Sequence, residues 1–332
     1  MEIRYPLYYH KFQCIASACP DSCCKEWEVD VDPEAACYYR SLTGALGDAL
    51  RAVLVDTDDG TVMTIQNRRC PMWREDGLCR IQAELGHDAL CATCREFPRL
   101  RHDYGDFMEL GLELSCPEAA RLILSEDYQI QTEQVAGGEE SEYDAEAMEI
   151  LRQSREVVLE YLRNSESPVS LRLATVLLFA HHVQSWLDGG EEASLSEADT
   201  VTLLSRVEGA GDWNAMLSFF KDLEILTSQW QQRLENPEGQ GAWQPGYVRL
   251  MAYFVGRYWL QAVSDYDLIG RVKFMITACL LIRHLGGDFV QTAQLFSKEI
   301  ENDADNVESI LDGAYASPAL TDMNLLRLLK EA

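Results

Sequence analysis

Two kinds of hydrophobic pattern divide this chain. From about residue 145 onward, apolar positions recur at helical spacing. In "DAEAMEILRQSREVVLEYLRN" the residues Met148, Leu151, Val158 and Leu162 fall on one stripe. "SLRLATVLLFAHHVQSWLDGG" ends in paired glycines, where a helix stops. "DWNAMLSFFKDLEILTSQWQQRL", "GYVRLMAYFVGRYWLQAV", "LIGRVKFMITACLLIRHLGG" and "FVQTAQLFSKEIEN" continue the pattern, punctuated by Pro168, Gly189-Gly190, Pro245 and Gly286-Gly287. Short connections between such helices predict an irregular bundle with no fixed repeat.

The first third reads differently. "EWEVDVD" alternates polar and apolar residues and predicts a short strand. "DPEAACYYRSL" predicts a helix with Asp32 as N-cap and Pro33 in its first turn. "TVMTIQ", after the turn residues "DDG", predicts another strand. "CREFPRLRHDYGDFMELGLELSC" predicts a hairpin with strands near 97–101 and 107–114 and a turn at Tyr104-Gly105-Asp106. The acidic segment "QTEQVAGGEESEYDAE", residues 131–146, reads as a linker or long loop. The expected architecture is α+β and mostly α. A small cysteine-rich domain with short strands and a metal centre covers residues 1–135, and a helical domain covers 136–332.

Composition narrows the function classes. The 332 residues are 47% hydrophobic, enough for a sizeable core. Lys and Arg number 28 against 55 Asp and Glu, a net charge of −27. That charge repels phosphate backbones and argues against nucleic acid. It favours a basic, lysine-bearing protein partner. "MEIRYPLYYHKF" lacks the apolar run and cleavage site of a signal peptide. The most apolar stretch carries Arg271, Lys273 and Arg283, so no membrane helix is expected. A cytoplasmic location is the expectation, and there thiols stay reduced.

Ten of the eleven cysteines lie between Cys14 and Cys116. Their spacing is Cys14-x4-Cys19-x3-Cys23-Cys24, then Cys70-x8-Cys79-x11-Cys91-x2-Cys94, then Cys116-Pro117. Cys37, within "EAACYY", and Cys279, within an apolar helix, read as small core residues. The other nine sit in loops beside Pro, Gly, Asp and Ser, which suits metal ligation rather than core packing. A zinc ribbon uses paired C-x2-C knuckles, and only Cys91-x2-Cys94 fits. The irregular spacings and the number of thiols favour an iron–sulfur cluster of the [4Fe–4S] type, with zinc the alternative. Cys23 and Cys24 are adjacent, so one can face a first centre while the other faces a second centre or the core. The C-x3-C-x2-C spacing of radical clusters is absent as written.

Five blocks, "YYHKFQCIASACPDSCCKEWEVDVD", "CPMWREDGLCRIQAELGHDALCATCREFPR", "LGLELSCPEAARLIL", "YFVGRYWL" and "FSKEIENDADN", resemble the flagellin lysine-N-methylase family. The first two also resemble a broader group of small cysteine-rich zinc- or iron-chelating proteins. The resemblance implies lysine methylation on flagellin, with S-adenosylmethionine as methyl donor and an iron–sulfur cluster on the cysteines. By motif, the ligands it implies are Cys14, Cys19, Cys23, Cys24, Cys70, Cys79, Cys94 and Cys116, with Cys91 in the same block. The tail departs from the family pattern: Asn302 stands where a His is expected after "E-I-E". No dinucleotide-type fingerprint is present, and "GGDF" at 286–289 follows a helix rather than a strand.

Methyl transfer needs a neutral lysine amine, whose free pKa is about 10.4. Desolvation or a base must remove its proton. Glu26, Asp30, Asp32, Tyr104 and Glu113 are candidate bases, and Trp27, Trp73, Tyr8 and Tyr9 are candidate channel aromatics. The helical pair His181-His182 has no partner legible in the sequence. The rival functions are a non-enzymatic zinc- or cluster-binding protein and a redox or radical enzyme.

Overall fold

The computed structural model describes residues 1–239 and 241–331. Its fold is α+β and dominated by helices. β1 (Glu2–Pro6), β5 (Arg99–Asp103), β6 (Phe107–Leu112) and β7 (Ile130–Gln134) form a sheet of order β5-β6-β1-β7. β1 runs parallel to β6, pairing Ile3 with Met108, and antiparallel to β7. The hairpin β5–β6 turns through Gly105, whose φ of 90° is the left-handed conformation a tight turn requires. β2 (Val29–Val31), β3 (Leu54–Thr57) and β4 (Gly60–Met63) make an antiparallel sheet of order β2-β4-β3.

Five short helices belong to the first third of the chain: α1 (Pro33–Ser41), α2 (Gly44–Arg51), α3 (Arg80–Leu85), α4 (Ala92–Glu96) and α5 (Pro117–Ser125). The rest are α6 (Ala145–Asn164), α7 (Val169–Leu187), α8 (Glu197–Arg206), α9 (Trp213–Lys221), α10 (Ser228–Glu235), α11 (Gly246–Tyr258), α12 (Leu268–Leu285), α13 (Phe289–Phe296), α14 (Ala304–Ala316) and α15 (Asp322–Lys330). α12 lies at the centre of the bundle and is buried on nearly every side. Its cations are all provided for. Arg271 pairs with Asp265 at 2.8 Å, Lys273 reaches Asp322 at 3.2 Å, and Arg283 stacks over Trp243 at 4.7 Å. Among the described residues no helix is long and apolar enough to cross a membrane.

The buried apolar residues form two cores. The larger joins the four-stranded sheet to the bundle through Phe107, Leu112, Leu122, Met148 and α12. Residues on both sides of the acidic segment therefore share one core. The start of that segment, expected as loop, is strand β7, held by β1 pairing from Glu2–Gln134 to Pro6–Ile130. Arg155 on α6 clamps Glu109 on β6 with bonds of 2.8 and 2.6 Å and is 1% exposed. The smaller core gathers Val29, Val31, Tyr39, Leu50, Val53, Met63, Met72, Ile81 and Leu90, and it includes Cys70 and Cys91.

A single π-helical turn, Ser297–Glu301, follows α13 and is buried throughout. Such turns store strain and recur at functional sites. The stretch "DWNAMLSFFKDLEILTSQWQQRL" is two helices rather than one. Glu299 of the π turn accepts the Leu226 N–H at 2.8 Å and the Thr227 hydroxyl, and Thr227 caps the second helix. A tertiary carboxylate thus breaks what local periodicity alone would continue.

Candidate metal centre and adjoining cavity

Local backbone geometry gathers the cysteines. A 3-10 turn at Ala16–Ala18 sets Cys14 and Cys19 side by side, with the Cys19 N–H on Ala16 O at 3.0 Å and the Ala16 N–H on Cys14 Sγ at 3.4 Å. Ala16 (φ 50°) and Glu26 (φ 81°) hold left-handed conformations unusual for non-glycine residues, which marks this loop as constrained. The Cys70 N–H donates to Cys24 O at 2.8 Å, next to a bridge between Lys25 and Arg69. A turn at Cys70–Trp73 and a Trp73–Cys79 bridge then bring Cys79 back toward Cys70. Cys79, Cys91 and Cys116 stand at the N-caps of α3, α4 and α5. Backbone N–H groups of the following turns pull these thiols down, but burial outweighs them at Cys79 and Cys116, and of the three only Cys91 ends below the usual range.

Cys14, Cys19, Cys23, Cys24, Cys79, Cys94 and Cys116 line one cavity of about 420 Å³. Cys70 and Cys91 are buried behind it and hydrogen-bond Cys24 and Cys94, respectively. Seven of the nine expected ligand cysteines therefore line one cavity, and all nine are free thiols. Among the described residues, no group of three or more His, Cys, Asp or Glu side chains already stands in the arrangement that holds a metal ion.

Crowding governs their protonation. Its hydrogen bond with Cys24, with burial second, drives Cys23 far above the usual thiol range. The bond with Cys91 does the same to Cys94. Cys24 is pulled down by Cys23 but pushed further up by Cys70 and burial, to about 12. Burial takes Cys116 to about 12 as well. Cys91, on the receiving side of its bond with Cys94, falls to about 7. Thiols this close cannot all ionise against one another. A bound cationic centre removes that penalty and releases the protons. The donor set, all sulfur and too large for one ion, fits an iron–sulfur cluster.

A second cavity of about 820 Å³ adjoins the first, and Asp21 and Pro117 belong to both walls. The Asp21 carboxylate accepts from Lys298 Nζ at 2.8 Å and from Gln294 Nε2 at 3.2 Å. Gln294 also donates to Ser115 O at 2.7 Å. Lys298 is 3% exposed and stands over the Trp27 ring at 4.8 Å. Deeper still, Arg257 meets Glu301 at 3.2 Å, the Tyr258 hydroxyl donates to Glu301 at 2.8 Å, and Tyr253 OH accepts the Leu114 N–H at 3.3 Å. The blocks "YFVGRYWL" and "FSKEIENDADN" thus meet as a buried ionic network beneath the cysteine loop.

The other sequence candidates divide. Trp27 lines the thiol cavity, and Glu26 lines its neighbour while pairing with Arg68. Trp73 is held between Lys25 and Arg69. Tyr8 is buried, Tyr9 packs against the large core, and Tyr104 stacks on Phe107 at 4.6 Å. Asp30 is exposed on β2. Burial raises the Glu113 carboxyl, although Arg257 and Ser115 oppose it. His181 does have a partner, Asp322 at 3.3 Å, and His182 faces Ser194 O at 3.4 Å. Cys279 is core as expected, but Cys37 is exposed because Ala36 and Tyr39 take the inward face of α1. Asn302 is exposed at the end of the π turn and lines neither cavity. Sequence reasoning missed His87 on the thiol cavity, Asp21 on the walls of both cavities, and Gln294 and Lys298 on the second.

Asp32 is structural. Its carboxylate accepts from Ala92 N at 2.7 Å and Ala35 N at 2.9 Å, capping α1 and tying it to α4 beside Cys91. These bonds hold its carboxyl below the usual range. The stabilisation is therefore present above an unfolded value near 3.9 and is lost as pH falls through the lower folded value. Asp32→Ala is expected to cost about 1–2 kcal/mol near neutral pH, read by urea unfolding, with the deficit shrinking at acid pH. A pH-independent deficit would count against this role.

No family model matches the chain, and no solved structure matches it. It is 31% identical over 137 residues to the flagellar biosynthetic protein FliU of Salmonella muenchen, a match covering 37% of this chain and 78% of FliU. It is 32% and 31% identical over 137 residues to lysine-N-methylases of Salmonella choleraesuis and Salmonella typhimurium. Those matches cover 37% of this chain but only 33% of either relative, so the matched stretch spans a third of their length. With identity at this level across most of FliU, the chain belongs to the flagellin lysine-N-methylase family.

Proposed function

We propose that this protein transfers a methyl group from S-adenosylmethionine to lysine side chains of a flagellin-like protein, with an iron–sulfur cluster held by its clustered cysteines. The observation that carries the reading is the pair of adjoining cavities in a chain of this family, one walled by seven thiols and the other by mixed charge.

The larger cavity presents Asp21, Glu26, Glu118 and Asp288 beside Lys25, Arg68 and Arg121. That mixture suits a methyl donor bearing a sulfonium, an ammonium and a carboxylate. Carboxylates there offset the cation being consumed, and the arginines hold its carboxylate. Phe12, Trp27 and Phe97 on the thiol cavity offer apolar and π faces to a lysine stem, desolvating the amine and lowering its pKa. In the transfer, the amine lone pair forms the new N–C bond while the C–S bond breaks and leaves its electrons on sulfur. The amine proton must then depart, and His87 and Asp21 are the acceptors on the walls. The cluster, when bound, supplies a redox-active charge centre beside these groups. The net charge of −27 steers a basic protein surface toward the site.

Cluster-replete protein given S-adenosylmethionine and flagellin is expected to add about 14 Da per methyl to lysines, read by peptide mass spectrometry. The rate should fall with pH as the amine protonates. It should also fall as salt rises, with screening over roughly 8 Å at physiological ionic strength. If replete protein leaves flagellin and bulk lysate lysines unmodified, the methylase reading loses to a cluster-binding role without transfer.

A further inference from the structure

We propose that the nine clustered cysteines hold two separate centres, each of a size for one iron–sulfur cluster: Cys14, Cys19, Cys23 and Cys116 around one, and Cys24, Cys70, Cys79 and the Cys91–Cys94 pair around the other. The inference rests on the metal-binding reading above and deepens it.

Stoichiometry raises the point first. One iron–sulfur centre takes about four thiolates, so a single centre leaves about five of these nine without a task. Backbone ties then sort the nine. Cys14 and Cys19 share the 3-10 turn at Ala16–Ala18. Gln294 bonds both Asp21, between Cys19 and Cys23, and the carbonyl of Ser115, next to Cys116. This pins Cys116 to the first loop across nearly a hundred residues of chain. The second group is tied independently, by the Cys70 N–H on Cys24 O at 2.8 Å, the Trp73–Cys79 bridge, and the single turn of α4 that holds Cys91 and Cys94.

The two groups also stand on different foundations. Cys116 is part of the large core, at the N-terminus of α5. Cys70 and Cys91 are part of the small core, and Cys24 and Cys79 pack against it. The groups touch at the adjacent residues Cys23 and Cys24, whose thiols hydrogen-bond. Two centres so placed are near neighbours, one on each subdomain, with the Cys23–Cys24 peptide as their common wall.

The test uses the full chain, reconstituted anaerobically with ferrous iron and sulfide. Roughly eight irons and eight sulfides per chain are expected, four of each per cluster. Cys14→Ser/Cys19→Ser and Cys70→Ser/Cys79→Ser should each halve both counts. Each should keep one reduced-cluster electron paramagnetic resonance signal, free of the spin–spin broadening expected in the fully reduced parent protein. About four irons in the parent, or loss of all iron in either double variant with far-UV circular dichroism intact, would overturn two centres while leaving the metal-binding reading in place. No iron uptake by the parent overturns both. Should the Cys70/Cys79 variant fail to fold, the single variants Cys24→Ser and Cys116→Ser provide the same comparison, one from each group.

Discussion

Glu301→Leu is expected to destabilise the helical half by about 3–5 kcal/mol, because it strands a buried cation. Arg257 has little contact with water and meets Glu301 at 3.2 Å, and the Glu301 side chain is fully enclosed. In the parent protein the carboxylate also accepts from the Tyr258 hydroxyl at 2.8 Å. Removing it leaves the guanidinium with only the neutral Tyr253 hydroxyl to accept from it, and the Tyr258 hydroxyl with no acceptor, in a low-dielectric site. The remaining acid facing Arg257 is Glu113, whose carboxyl burial already pushes toward neutrality. The double variant Arg257→Met/Glu301→Leu should recover most of the loss, since an apolar pair of similar volume avoids desolvating either charge. Urea unfolding of the single and double variants checks this. A single-variant cost under about 1 kcal/mol, or a double variant as unstable as the single, would refute the assignment. The consequence should also reach the thiol site. Tyr253 OH, held by Arg257 Nη1 at 2.8 Å, accepts the Leu114 N–H two residues before Cys116.

What the sequence disclosed was mostly local. Asp32-Pro33 fixed the start of α1 because an N-cap and a first-turn proline act within one turn of chain. The β5–β6 hairpin and α6 were legible for the same reason: a glycine turn and a four-residue stripe need no distant partner. The clustering of these cysteines along the chain made their gathering around one cavity legible, although Cys70, Cys91 and Cys116 also join the apolar cores. Elements made by distant partners were not legible. β1 is flanked by β6 and β7, more than a hundred residues away, and the alternation in its own sequence, "EIRYP", runs for only four residues before a proline, too short to announce a strand. The break between α9 and α10 depends on Glu299, seventy residues on. The π turn hid Lys298, Glu299 and Glu301 as well. Three charged residues in five read as a solvated helix end, yet each is buried against a partner supplied by another part of the chain. Asp21 carries no local signal, because its importance lies in Lys298, nearly three hundred residues away.

If the clustered cysteines hold a metal as proposed, removing it is expected to unfold residues 24–96 while leaving the bundle folded. From residue 13 to residue 28 no side chain is buried, so the first cysteine loop has no apolar anchor of its own. Its protein ties are a few polar contacts, chief among them Asp21 with Lys298 and Gln294. The small core beneath it holds thirteen buried residues, two of them the proposed ligands Cys70 and Cys91. A core of this size rarely supplies more than about 3–5 kcal/mol. Structural thiolate–metal centres contribute on the order of 10–16 kcal/mol in small zinc domains, and most of that appears as folding free energy. On these magnitudes a metal bound as proposed would decide whether this region folds. The bundle rests on the larger core, with α12 enclosed by its neighbours, and needs no such help. Hydrogen exchange before and after anaerobic chelation should show protection lost across β2, β4 and α1 and kept along α12. Cys70→Ser/Cys79→Ser should reproduce the loss without chelator. Equal protection of the small core with and without metal would show that its apolar packing suffices, and the cysteines would then serve chemistry alone. If α12 lost protection in parallel, the two cores would be a single cooperative unit, with the Lys298–Asp21 pair strong enough to carry the transition from one to the other.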